Sequence, residues 1–94
     1  MSVPVFQIIE VQAVGGDAWQ VSGRAWEDIH VGDYVGIETL EGHGPGESAF
    51  SVTGISTYGH QVEELNRMLT GTLILQGGEG ATLRSGRMLV KKVY

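Results

Sequence analysis

Residues 19–26 read WQVSGRAW, and small or apolar residues occupy every second position through most of this stretch. Successive side chains of a β-strand point to opposite faces, so a period of two predicts a strand with one buried face. The inward face would carry Trp19, Val21, Gly23 and Ala25, and the outward face Gln20, Ser22, Arg24 and Trp26. We use this strand as the reference from which the rest of the fold is predicted.

The rest of the chain repeats short runs of Val, Ile, Leu and Thr between closely spaced glycines, of which there are 15. Turn signals at this spacing are typical of a β-sandwich or barrel. Further strands are predicted at about 3–14, 33–40, 50–55, 70–76 and 87–93. The apolar phase shifts between Phe6 and Ile9, which predicts a β-bulge, and again at Gly54, which predicts a bulge or a barrel corner. We therefore expect residues 1–94 to form a single all-β domain, a small six-stranded closed or partly closed barrel.

Two segments depart from the strand pattern. Residues 41–47, EGHGPGE, are the most turn-rich part of the chain and predict an exposed loop. Val62, Leu65 and Leu69 follow a helical spacing, so we expect one helical turn there.

The composition limits the classes of partner. Eleven acidic and six basic residues give a formal net charge of -5. Such a field disfavours non-specific nucleic-acid binding and anionic membranes. Because the chain has no cysteine, a cytoplasmic location is favoured over a secreted one. No stretch approaches the roughly 18 apolar residues that a membrane span requires, and residues 1–12 do not resemble a signal peptide.

Five runs resemble, in the same order, the second domain of elongation factor Tu and its relatives. They are VSGR at 21–24, IHVGDYV at 29–35, VTGISTYG at 52–59, TGTLILQG at 70–77 and LRSGRML at 83–89. The resemblance implies the translation-protein barrel that follows the nucleotide-binding domain of translational GTPases, here as a standalone barrel. In elongation factor Tu this barrel helps to hold the aminoacyl end of a tRNA. No residue of that pocket can be matched in this chain, so none is carried over.

No catalytic, cofactor or metal site is predicted. The phosphate-binding motif Gly-x-x-x-x-Gly-Lys-Ser/Thr does not occur in the sequence, so we expect no binding of GTP or ATP. His30, His43 and His60 lack the spacing of a helical zinc site, and no serine lies in a Gly-x-Ser-x-Gly elbow. Arg84, Arg87, Lys91 and Lys92 lie close together in the sequence and predict a solvated basic strand face.

Arg24 and Trp26 are the candidate partner-binding residues. Both fall on the outward face of the reference strand, and an exposed aromatic residue beside an arginine is typical of an interface anchor. Trp26 would be covered by the 41–47 loop, by a second copy of the chain or by another protein, and we favour the last two. The leading prediction is a non-catalytic module that binds a protein. The alternatives are a homo-oligomeric structural or assembly protein, an RNA-end-binding module and a subunit of an enzyme.

Overall fold

The computed structural model describes residues 4–16, 18–37, 49–77, 85–86 and 88–92. Nine β-strands lie within this part of the chain: β1 (Pro4–Gly15), β2 (Ala18–Ala25), β3 (Ile29–His30), β4 (Tyr34–Ile37), β5 (Ala49–Thr57), β6 (His60–Val62), β7 (Glu64–Leu65), β8 (Thr70–Gly77) and β9 (Met88–Lys92). None of the described residues is helical. Among these residues there is therefore no helix of the length and apolar character needed to cross a membrane.

Six strands form a hydrogen-bonded ring in the order β4-β9-β1-β2-β8-β5, and the pairing of β5 with β4 closes it. All of these pairings are antiparallel. β6 continues the sheet from β5, while β3 and β7 form a separate two-stranded sheet. The predicted all-β fold, a small and partly closed six-stranded barrel, is confirmed.

The reference strand has the predicted orientation. Val21, Gly23 and Ala25 are buried, and Trp19 is partly buried and packs against the core. The largest fully buried side chains come from all six strands of the ring, together with β3 and β7: Phe6, Ile8, Val21, Ile29, Val35, Phe50, Val52, Leu65, Leu73, Leu75 and Leu89. Burial of each such side chain contributes about 1.5–3 kcal/mol, so this interior is the main source of stability.

Both predicted bulges are present. The register of β1 against β2 shifts between Ile8 and Glu10, and that of β5 against β8 shifts between Val52 and Gly54. The first bulge lies near a close approach of two backbones, because a Cβ added at Gly23 would collide with the carbonyl oxygen of Gln7. Only glycine fits this crossing, which explains its place on an otherwise apolar inward face.

A second close approach lies on the neighbouring strand β8. A Cβ added at Gly71 would lie 2.9 Å from the carbonyl oxygen of Ser56 and 2.9 Å from Cδ1 of Leu65. Gly71 pairs with Gly23 across β2 and β8, so the two close approaches lie side by side in the sheet.

The predicted helical turn at residues 62–69 is wrong. This segment contains β6, β7 and a turn at 67–68. Leu65 is fully buried and pairs with Ile29, whereas Leu69 is 39% exposed. The apolar residues therefore do not form one helical stripe, and the short sheet of β3 and β7 determines the local backbone.

Other predicted segments are only partly described. The third predicted strand appears as β4, and residues 38–48, including the predicted 41–47 loop, lie outside the described residues. The turn before β4 forms as predicted, with φ of 101° at Gly32 and a hydrogen bond from the Asp33 N–H to the His30 carbonyl. Arg84 and Arg87 also lie outside the described residues.

Candidate binding cleft

Arg24 and Trp26 both lie on the outside of the barrel, as the alternation predicts. Arg24 is exposed and pairs in the sheet with Gln7 of β1 on one side and Thr70 of β8 on the other. Trp26 follows the last residue of β2 and is 45% exposed. The structure thus gives the two residues a common outward surface.

Backbone hydrogen bonds hold Trp26 from two directions. Its N–H donates to the carbonyl of Val5 at 2.7 Å, which ties it to β1. The preceding residue, Ala25, donates to the carbonyl of Leu69 at 2.9 Å and accepts from the N–H of Met68 at 2.7 Å. These bonds fix the backbone at Trp26 and do not involve its side chain. The indole is therefore not needed to hold this part of the fold in place.

The turn at residues 66–69 forms the opposite wall. It is closed by a hydrogen bond of 3.2 Å from the Leu69 N–H to the Asn66 carbonyl. The backbone N–H of Arg67 donates to Oδ1 of Asp28 at 2.8 Å, which fixes this turn to the segment that follows Trp26. Met68 has a φ of 78° and is 61% exposed.

These elements enclose a cleft of about 400 Å³, lined by Gln7, Arg24, Trp26, Arg67 and Met68. Neither Arg24 nor Arg67 forms an ion pair with another described residue. The Asp28 carboxylate accepts a hydrogen bond from the Arg67 backbone. The cleft therefore combines two guanidinium groups with an aromatic and a thioether side chain, a set able to hold an anionic group beside an apolar one.

Three of the five lining residues were not predicted from the sequence: Gln7, Arg67 and Met68. Gln7 and Arg67 are distant from Arg24 in the sequence and meet it only because β1 and β8 flank β2. Arg67 and Met68 fall in the segment for which we predicted a helical turn. One local signal was present, since Asn66 is of a residue type that is common in turns.

A second groove lies beside the cleft on the same outer face. It encloses about 340 Å³ and is lined mainly by hydroxyl-bearing residues and glycines, together with Ile9 and Tyr58. Three of its hydroxyl groups are engaged within the protein: Ser22 Oγ and Thr72 Oγ1 are 3.0 Å apart, and Thr57 Oγ1 donates to the Thr70 carbonyl at 2.9 Å. This groove contains neither an arginine nor a tryptophan, which makes it the weaker candidate for a protein interface.

His30 lies in a polar cluster that supports the small sheet of β3 and β7. Its Nε2 is 3.2 Å from Oε2 of Glu64, and its Nδ1 is 3.8 Å from Oδ2 of Asp33. The Asp33 carboxylate also accepts the His30 backbone N–H at 2.9 Å. Within the described part of the chain, no group of three His, Cys, Asp or Glu side chains is arranged to hold a metal ion. We interpret this cluster as structural.

The chain matches no protein-family model and no curated protein.

Proposed function

We propose that this barrel is a non-catalytic binding module that holds a protein partner in the cleft between Trp26 and the turn at 66–69. One observation carries the proposal. A half-exposed tryptophan lies beside two arginines without ion-pair partners among the described residues, in a chain of net charge -5. Tryptophan and arginine are the residues most enriched among the energetically dominant contacts of protein interfaces.

The backbone contacts support the same proposal. Trp26 and Met68 are fixed by main-chain hydrogen bonds between β1, β2 and the turn, so the cleft is formed before a partner arrives. A preformed cleft lowers the ordering cost of association, which favours binding by a small module.

Affinity capture with matched variants tests this proposal. The immobilised full chain is compared with its Trp26→Ala and Val14→Ala variants in an extract of the native host. Val14 is 46% exposed, so its variant controls for the loss of an exposed apolar side chain away from the cleft. We expect a protein retained by the unmodified chain and by Val14→Ala but lost with Trp26→Ala. Equal retention by all three would exclude the cleft as the binding site.

Self-association is the second candidate, because the exposed apolar side chains at the cleft suit a copy of the same chain. Trp26, Met68 and Leu69 are all at least 39% exposed. Sedimentation of the purified chain over a hundredfold concentration range would detect it. A dimer lost with Trp26→Ala would favour a homo-oligomeric role, and a monomer throughout would favour a different protein.

We also propose that the ring is a translation-protein barrel working in the cytoplasm. The glycine turns before β4 and β9, with φ of 101° at Gly32 and 85° at Gly86, support this assignment because they fall in two of the resembling runs. An experimental structure superposed on the second domain of elongation factor Tu would test it. A different strand order would reject the relationship.

A further inference from the structure

We infer that the cleft takes an acidic segment of the partner protein, with carboxylates at Arg24 and Arg67 and an apolar side chain between Trp26 and Met68. This inference rests on the proposed function and names the chemistry of its partner.

The charges of the cleft favour an acidic ligand. Two of the chain's six basic residues line one cleft, although acidic residues outnumber basic ones by eleven to six. A guanidinium group presents a planar set of donors that matches a carboxylate. The lining residues include no acidic side chain, and neither arginine forms an ion pair with another described residue, so both guanidinium groups are open to the carboxylates of a ligand.

The conformation of Met68 indicates that the ligand also carries an apolar group. In the turn at 66–69, Met68 holds the third position with φ of 78°, while Arg67 does not have a positive φ. This is the pattern of a type II turn, whose third position is favourable for glycine and unfavourable for a residue with a side chain. A large apolar residue that is 61% exposed at such a position does not serve the stability of the fold. Its position in the cleft gives it a use, which is contact with an apolar group of the ligand.

An acidic peptide fits this cleft better than a nucleic acid. A nucleic acid carries a phosphate at every nucleotide, and its affinity depends on many basic contacts. Here the two arginines lie close in sequence or space to the carboxylates of Glu27 and Asp28, both exposed. Those acids would repel a continuous polyanion but would permit one or two carboxylates placed on the arginines.

Binding of defined probes to the full chain tests the inference. The first probe is a fluorescein-labelled ten-residue peptide with two glutamates, one on each side of a central leucine, and otherwise uncharged residues; the second replaces both glutamates with glutamine. The third is a single-stranded RNA of ten nucleotides. Affinity is measured by anisotropy at low salt, and the bound surface is located by NMR shifts of the Trp26 indole and the Arg67 and Met68 amides.

We expect only the acidic peptide to bind at the cleft. Arg24→Gln and Arg67→Gln should each weaken it by about two- to fivefold, the range for one exposed charge pair. Met68→Gly should weaken it by a similar factor without lowering the melting temperature. Tyr58→Gly is the matched control. Tyr58 also has a left-handed backbone, with φ of 52°, but lines the neighbouring groove, so its variant should keep the affinity within about twofold.

Four results would overturn the inference: no binding of the acidic peptide, equal binding of the glutamine peptide, tighter binding of the RNA, or a contact surface away from the cleft. Equal binding of both peptides at the Trp26 indole would reject the acidic ligand while leaving the proposed protein-binding function in place. Failure of the proposed function itself would instead appear in the Trp26→Ala capture experiment.

Discussion

The close approach of β1 and β2 at Gly23 and the turn at 66–69 both favour glycine, but only the first of these places has one. At Gly23 the strands approach so closely that even a methyl group would meet the carbonyl of Gln7. At Met68 the backbone has a φ of 78°, where glycine is favoured, yet the chain carries a large apolar residue. The first residue is explained by packing alone. The second is not, and a residue that opposes its local backbone is most informative about function.

The largest effect is expected at the crossing itself. Gly23→Ala should lower the free energy of unfolding by about 3 kcal/mol or more, because the clashing atom is backbone and cannot rotate away. Urea denaturation of the purified variant measures this. Ser22→Ala, on the outward face beside it, is the control and should cost no more than about 1 kcal/mol. A Gly23→Ala protein as stable as the control would show that the two strands can separate without loss.

A smaller loss of stability is expected at Gly71, the neighbouring close approach. Gly71→Ala should cost about 1–3 kcal/mol, because one of the two obstructing atoms belongs to the Leu65 side chain, which can shift. The same denaturation experiment compares it directly with Gly23→Ala. A larger loss of unfolding free energy for Gly71→Ala than for Gly23→Ala would contradict this ranking.

Trp26 resembles Met68 in that packing of the core does not explain it. Trp26→Ala should cost about 1 kcal/mol, since the residue is 45% exposed and its hydrogen bond to Val5 involves only the backbone. Trp19→Ala is the control, because Trp19 packs against the core and its loss should cost about 3 kcal/mol. Thermal unfolding of both variants is sufficient. Equal losses of stability in the two variants would mean that Trp26 stabilises the fold, and would contradict its role as a partner-binding residue of the cleft.

The smallest effect has the opposite sign. Met68→Gly should raise the free energy of unfolding by about 0.5 kcal/mol, because relief of the left-handed backbone slightly exceeds the added entropy of the unfolded chain. Leu69→Gly should instead lower it, since Leu69 does not have a positive φ. Melting temperatures of the two variants give the sign. A destabilised Met68→Gly protein would remove the contrast with Gly23.

The reference strand and both bulges could be predicted because they depend on local alternation and on where it shifts, and the all-β class because it shows in the spacing of the turn signals. The segment at 62–69 could not, because its three apolar residues match a helix in spacing while β3, far away in sequence, pairs with Leu65. The cleft was predicted only in part for a related reason. Arg24 and Trp26 lie on one strand, whereas Gln7 and Arg67 reach them through the order of strands in the ring.

The position of β9 has a consequence for the order of events during synthesis. β9 lies between β1 and β4, with Leu89 opposite Phe6 and Lys91 opposite Val35. It is also the last of the nine strands to leave the ribosome. Until then, β1 and β4 each lack a neighbour and expose unpaired backbone groups that other chains could pair with. During synthesis these two edges therefore stay open to pairing with other chains until β9 emerges, and a chaperone that covers them would help until then.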